Sequence, residues 1–159
     1  MEEIYYHWVM SSHKNVRELG LTELSYIAGI VDGEGTITLT RKVKDGPRQL
    51  VVTVSNCEHK LLSFLHKIVG AGSITSKRIY RKEHSQAFTY RLVNRQALSL
   101  LEQIHNHLRT YKRERAKLVL KEYLKVTPRN GKYTSTLLKR KGSFEKKFFE
   151  ILPHNTKNR

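Results

Sequence analysis

The sequence predicts an α+β fold built on a four-stranded antiparallel sheet, and three observations lead there. Short runs that alternate apolar and polar residues come in two pairs, each pair joined by a polar turn. Stretches with apolar residues three and four apart precede, separate and follow those pairs, as helices would. At 159 residues the chain is long enough for one continuous hydrophobic core.

Residues 1–20 mix aromatics (Tyr5, Tyr6, Trp8) with polar residues, end at Gly20 and read as an N-terminal arm. From Leu21 to Asp32 the spacing predicts a helix, with Thr22 as N-cap and Glu23 at its positive end. Leu21 and Tyr26 are placed for a hydrophobic staple, and the Gly33 and Gly35 pair ends the helix near Asp32. Residues 36–42 alternate as a strand, Lys44-Asp45-Gly46-Pro47 is a turn, and residues 48–55 return as the second strand of a hairpin. A short amphipathic helix over 61–69 closes at Gly70-Ala71-Gly72. A second hairpin has strands over 73–80 and 87–93 around a turn at 81–86. Helices follow over 96–108 and 112–126. Pro128-Arg129-Asn130-Gly131 breaks the chain, and a basic tail carries one more helix from Ser143, its N-cap, to Leu152. The expected organisation is an arm (1–20), a core domain (21–126) and a basic C-terminal extension (127–159).

Charge narrows the partner. Thirty Lys and Arg stand against fourteen Asp and Glu, a net of +16, which favours a polyanion and above all nucleic acid. Residues 1–40 carry two basic and six acidic residues, a net of −4, which leaves +20 for residues 41–159. Cys57 has no second cysteine to pair with, so an internal disulfide and a cysteine-based zinc cluster are excluded. None of the eight histidines stands in a metal-binding motif, which disfavours a histidine-metal nuclease. No apolar run is long enough to span a bilayer, and Met1-Glu2-Glu3-Ile4 lacks the basic start of a signal peptide. The expectation is a soluble intracellular protein with no membrane partner, in a reducing compartment that holds DNA, an organelle matrix or a prokaryotic cytoplasm.

The acidic minority gathers around Ile27–Gly35. Ser25, Gly29 and Gly33 recur at every fourth position with Ala28 beside them, a stripe of small residues that lets a second helix approach closely. Leu24, Ile27, Ile30 and Val31 form the apolar side that packs on the sheet. Taken alone, the glycines could equally cap an ordinary core helix. Glu34 shifts that balance: it is expected just past the helix C-terminus, where the macrodipole disfavours a carboxylate. A hard divalent cation would supply the missing charge, and two such helices about a twofold axis would bring two Glu34 side chains together around it.

The hairpins suggest a reading surface. Thr36, Thr38, Thr40 and Lys42 share a face opposite Ile37 and Leu39, and Gln49, Val51, Thr53 and Ser55 share one opposite Leu50, Val52 and Val54. Thr75 with Lys77, and Thr89 with Arg91, are the comparable sets of the second hairpin. A curved ribbon of this kind fits the major groove of DNA, although a polar outer face also belongs to any half-buried sheet. Lys139, Arg140, Lys141, Lys146 and Lys147 suit phosphates better than bases.

The run Ile27-Ala28-Gly29-Ile30-Val31-Asp32-Gly33-Glu34-Gly35 resembles the motif of the LAGLIDADG homing endonucleases, and the resemblance extends through about Lys125. It implies that family's α-β-β-α-β-β-α fold, with the four-stranded sheet on DNA and, here, a C-terminal helical extension. It gives Glu34 the metal-binding role, with Glu where the family has Asp, and makes Asp32 a structural acid at the helix end within the dimer interface. By the same likeness Asn56 matches a side chain that orients a metal-bound water, and Lys60 and Lys112 match basic residues around the scissile phosphate. A single copy of the motif implies a homodimer joined through Ser25, Ala28, Gly29, Asp32 and Gly33, acting on a near-palindromic target. The implied activity is an intron-encoded, Mg²⁺-dependent DNA endonuclease that leaves short 3′ overhangs, with Mn²⁺ or Ca²⁺ able to replace Mg²⁺ in binding. Two alternatives stay open: a maturase, which binds RNA to assist splicing, and a non-catalytic DNA-binding regulator of the same fold.

Overall fold

The structure is a computed structural model and describes residues 16–76 and 86–153. Its elements in chain order are α1 (Leu21–Glu34), β1 (Gly35–Arg41), β2 (Arg48–Asn56), α2 (His59–Val69), β3 (Ser73–Ser76) and β4 (Phe88–Val93). There follow α3 (Asn94–Ile104), α4 (Lys112–Glu122), a 3₁₀ turn (Tyr123–Val126) and α5 (Ser135–Glu150). The strands form one antiparallel sheet in the order β1-β2-β4-β3, so the two hairpins meet at β2 and β4. The α+β class and the element order are those the sequence predicts. Residues 77–85, which include Lys77 and most of the expected second turn, lie outside the described residues, as do residues 1–15 of the arm.

Alternation decides which face of the sheet is buried. Ile37, Leu39, Leu50, Val52, Val54, Tyr90 and Leu92 point inward. Ile27, Ala28 and Val31 of α1, Leu62 and Leu65 of α2, Leu100, Leu101 and Ile104 of α3 and Val119 of α4 cover them. The helices thus form one layer on one side of the sheet.

Several boundaries differ from the expectation, each for a local reason. Helix α1 begins at Leu21 after Gly20, and Glu23 Oε2 accepts from Gly20 N at 2.9 Å, so Thr22 is not the cap. Leu21 and Tyr26 are both largely exposed and make no staple. At its other end α1 continues to Glu34 and passes straight into β1. Gly35 makes that possible, because a Cβ there would lie 2.7 Å from Val31 Cα. The helix expected over 112–126 is α4 followed by a 3₁₀ turn, and the one expected from Ser143 starts eight residues earlier. Thr134 is its true cap, accepting from Leu137 N at 3.2 Å, while Ser143 sits exposed in mid-helix. Glycine at 142 does not break α5, since Lys141, Phe144 and Phe148 hold its inner face.

Both ends of the described region are bound into the core. Leu19 N donates to Gln103 Oε1 (3.0 Å), and Gln103 Nε2 donates to Arg17 O (3.0 Å), which ties residues 16–20 to α3. The buried Arg115 donates from Nη1 to Ile37 O and from Nε to Ile151 O, its guanidinium lying between the rings of Tyr111 and Phe148. Arg48 pairs with Glu145 at 2.6 Å. Phe144 and Phe148 are fully buried, so the extension completes the core. Phe148→Ala is therefore expected to cost about 3–5 kcal/mol of unfolding free energy, read from the urea midpoint, as for any large core aromatic.

Candidate metal site and nucleic-acid face

The candidate metal site begins at the C-terminus of α1. Glu34 is the last residue of that helix, exposed, and without an ion-pair partner among the described residues. The last turn of α1 carries no basic residue of its own. A lysine from the start of α4 supplies the positive charge that this end attracts. Lys112 is buried, and its Nζ donates to Val31 O and Asp32 O, each at 2.8 Å. Two of its three ammonium hydrogens are thereby used on the helix carbonyls. Desolvation holds the Lys112 pKa below its usual value; the charge of Asp32 opposes that shift and Arg115 adds to it.

Asp32 completes the joint. Its carboxylate accepts from Arg109 N (2.7 Å), Thr110 N (3.3 Å) and Thr110 Oγ1 (2.6 Å), in the turn that leads into α4. The end of α1 and the start of α4 are thus latched in both directions, and Asp32 serves the scaffold. Thr110 is a partner of Asp32 that the sequence alone does not single out; a hydroxyl just ahead of Tyr111-Lys112 was the available signal. Asp32→Asn is expected to lower stability by about 1 kcal/mol by weakening charge-assisted bonds, measurable as a drop in melting temperature.

Register places the other candidates. Gly35 pairs with Val54, so Glu34 lies at the same end of the sheet as Ser55 and Asn56. Asn56 is the last residue of β2, and its Oδ1 accepts from Glu58 N at 2.8 Å, which leaves the amide hydrogens as its free function. Lys60 is exposed in the first turn of α2. A cation at a helix N-terminus is disfavoured, so an anion beside it would relieve the mismatch. No direct bond joins Glu34 to Asn56, Lys60 or Lys112 among the described residues; the backbone brings them to one end of the sheet.

The exposed side of α1 is the second part of the site. Thr22, Ser25, Gly29 and Gly33 share it, and a Cβ built on Gly29 or on Gly33 would have nothing within 4 Å. Each glycine in a helix interior costs up to about 1 kcal/mol relative to alanine. Nothing among the described residues requires either of them. Ala28 corrects the expected interface: it is fully buried in the core and belongs to the monomer. Asp32 likewise spends its carboxylate within the chain.

The outer face of the sheet carries the expected polar rows. Thr36, Thr53, Arg91 and Ser73 lie across the four strands in one row, and Ser55, Thr89 and Thr75 across three in the next. Thr40 faces Gln49, and Thr38 faces Val51, which in turn faces Val93. Ser55 Oγ and Thr89 Oγ1 share a hydrogen bond of 2.8 Å. Asn94 Nδ2 donates to Gln49 Oε1 at 3.3 Å, while Asn94 Oδ1 accepts from the Tyr123 hydroxyl. Lys42 lies one residue beyond β1, exposed in the hairpin turn. Sequence reasoning omitted Ser73 and Asn94 from this face, since neither alternation nor charge singles them out. On α5, Lys139, Arg140 and Lys146 are exposed. Lys141 departs from expectation: it is buried, with Nζ donating to the Tyr133 hydroxyl at 2.8 Å and lying over that ring. Lys147 pairs with Glu122 at 3.3 Å.

No helix among the described residues is long and apolar enough to cross a membrane. No protein-family model matches the chain, and neither does any curated protein. Solved structures do. The homing endonuclease I-CvuI, in complex with the I-CreI target in the presence of Mg, is 23% identical, with a TM-score of 0.66 over 87% of this chain and 85% of that one. The homing endonuclease I-TnaI is 19% identical, with a TM-score of 0.58 over 85% and 95% of the two chains. The LAGLIDADG homing endonuclease I-GzeII, in complex with its DNA target, is 15% identical, with a TM-score of 0.58 over 92% of this chain and 51% of its own. What the chain shares with these proteins is their architecture: it has the LAGLIDADG homing endonuclease fold.

Proposed function

We propose that the chain is one subunit of a homodimeric homing endonuclease that makes a double-strand break in a long, near-palindromic DNA target. The observation that carries this reading is Glu34: an exposed acid at the end of a helix whose free face is glycine, within this fold. Among the described residues no three His, Cys, Asp or Glu side chains gather to hold a metal within the chain. One carboxylate from each of two copies suits Mg²⁺, which takes one or two carboxylates and keeps several waters. The lengths of the neighbours support two copies, since this chain spans nearly all of I-TnaI but about half of I-GzeII.

When bound, a divalent ion at this position supplies an activated water and charge for the leaving oxygen. The chain's own residues do the rest. Glu34 holds the ion, and the Asn56 amide donates toward the attacking water. Lys60 and Lys112 stabilise negative charge as it grows on the phosphate. Thr36, Thr38, Thr40, Gln49, Thr53, Ser55, Thr75, Thr89 and Arg91 meet base edges in the major groove, with Lys42, Lys139 and Arg140 on flanking phosphates. The test is a plasmid bearing the empty insertion-site sequence, incubated with Mg²⁺ or with EDTA. Linearisation in Mg²⁺ alone is expected; an intact plasmid in both would overturn the enzymatic reading.

A further inference from the structure

A cleft of about 310 Å³ opens between α4, the 3₁₀ turn and α5, lined by Lys121, Glu122, Lys125, Arg140, Ser143 and Lys147 above the buried Val126. Its position sets it apart from the sheet. Helix α4 turns Lys112, Arg115, Ala116 and Val119 to the core, and Lys121, nine residues after Lys112, is half a helical turn out of phase with it. Because α4 lies in the helical layer against the sheet's inner face, Lys121 points away from the sheet. A ligand held by Lys121 would lie on the far side of α4 from a duplex on the outer strands.

The lining is selective in its chemistry. Four cations from three elements surround one carboxylate, and only Lys147 is paired with it; Lys121, Lys125 and Arg140 have no ion-pair partner among the described residues. A concave surface with a clear excess of one sign of charge focuses potential on its centre. No exposed aromatic or aliphatic side chain lines it to anchor a peptide, which argues against an acidic protein partner. Three of the four cations are lysines, point charges that accept phosphate in many orientations and read no sequence. We infer that this cleft binds the phosphodiester backbone of a second nucleic-acid strand, independently of the duplex on the sheet.

The test uses the full chain with a short labelled oligouridylate and, in a parallel arm, oligothymidylate, which tell an RNA source from a DNA one. Either oligonucleotide is expected to bind with equal affinity whether or not unlabelled target duplex saturates the protein. Combined Lys121→Glu and Lys125→Glu should weaken oligonucleotide binding at least about tenfold and lower the slope of log K against log salt by about 1.5. Duplex affinity and the unfolding midpoint should hold, because both side chains are exposed and neither faces the duplex. Displacement of the oligonucleotide by duplex, or an equal loss of duplex affinity in the double variant, would show that the cleft grips the same duplex and overturn the inference. Unchanged oligonucleotide binding would overturn it too. A chain that bound no duplex at all would sink the proposed function, yet the oligonucleotide arms would still decide the cleft.

Discussion

Glu34→Gln is expected to reduce strand cleavage at least about a thousandfold while target affinity stays within a few-fold of the parent. The exchange keeps the size and hydrogen-bonding shape of the side chain and removes the charge. Glu34 is exposed and has no ion-pair partner among the described residues, so folding should be indifferent to the change. Only a role that needs the negative charge suffers. In a dimer the loss occurs twice, which is why a large effect is expected. Gel-shift titration in Ca²⁺ against plasmid cleavage in Mg²⁺ separates binding from chemistry. Undiminished cutting by the variant would remove Glu34 from the mechanism.

The second large effect is expected from Gly29→Leu. Inside the monomer the new side chain meets open space, and leucine is the better helix former by roughly 1 kcal/mol. The subunit fold should therefore hold or gain stability. Between two closely packed helices the same side chain has no room. Sedimentation should show dimer association weakened by at least about a hundredfold, and cleavage should fall with it, because a lone subunit supplies one Glu34. A variant that still dimerised and cut would place the subunit contact elsewhere. Stability and assembly move in opposite directions here, which a purely structural role for the glycine would not produce.

The sheet, its two hairpins and the order of the helices were legible in the sequence because period two and period 3.6 patterns survive folding unchanged. The motif around Glu34 was legible because small residues and an acid at a helix end conflict with ordinary local preferences. Burial of basic residues was not. Lys141 reads as one more cation in a basic tail, yet Tyr133, eight residues earlier, draws it inside. Lys112 owes its burial to carbonyls about eighty residues away. Ala28 looked like part of the small stripe, but α1 is covered by both the sheet and α3, and Ala28 is fully buried. The start of α5 was misplaced because Gly142-Ser143 imitates a helix boundary, whereas the deciding feature is the inward line of Lys141, Phe144 and Phe148. In each case a tertiary contact overrode a sound local signal.

The direct passage from α1 into β1 at Gly35 has a further meaning for how such a protein can change. With no connecting loop, Glu34 and Thr36 sit on one continuous stretch of backbone, one residue apart across the glycine. No slack exists to let the acid drift when side chains farther along the strands are exchanged. On the proposed reading, the point of attack and the ruler that measures the target are a single rigid piece. New target preferences can then be sought in Thr38, Gln49 or Arg91 without retuning the spacing of the two cuts, whereas one residue inserted beside Gly35 would put every side chain of β1 on the wrong face.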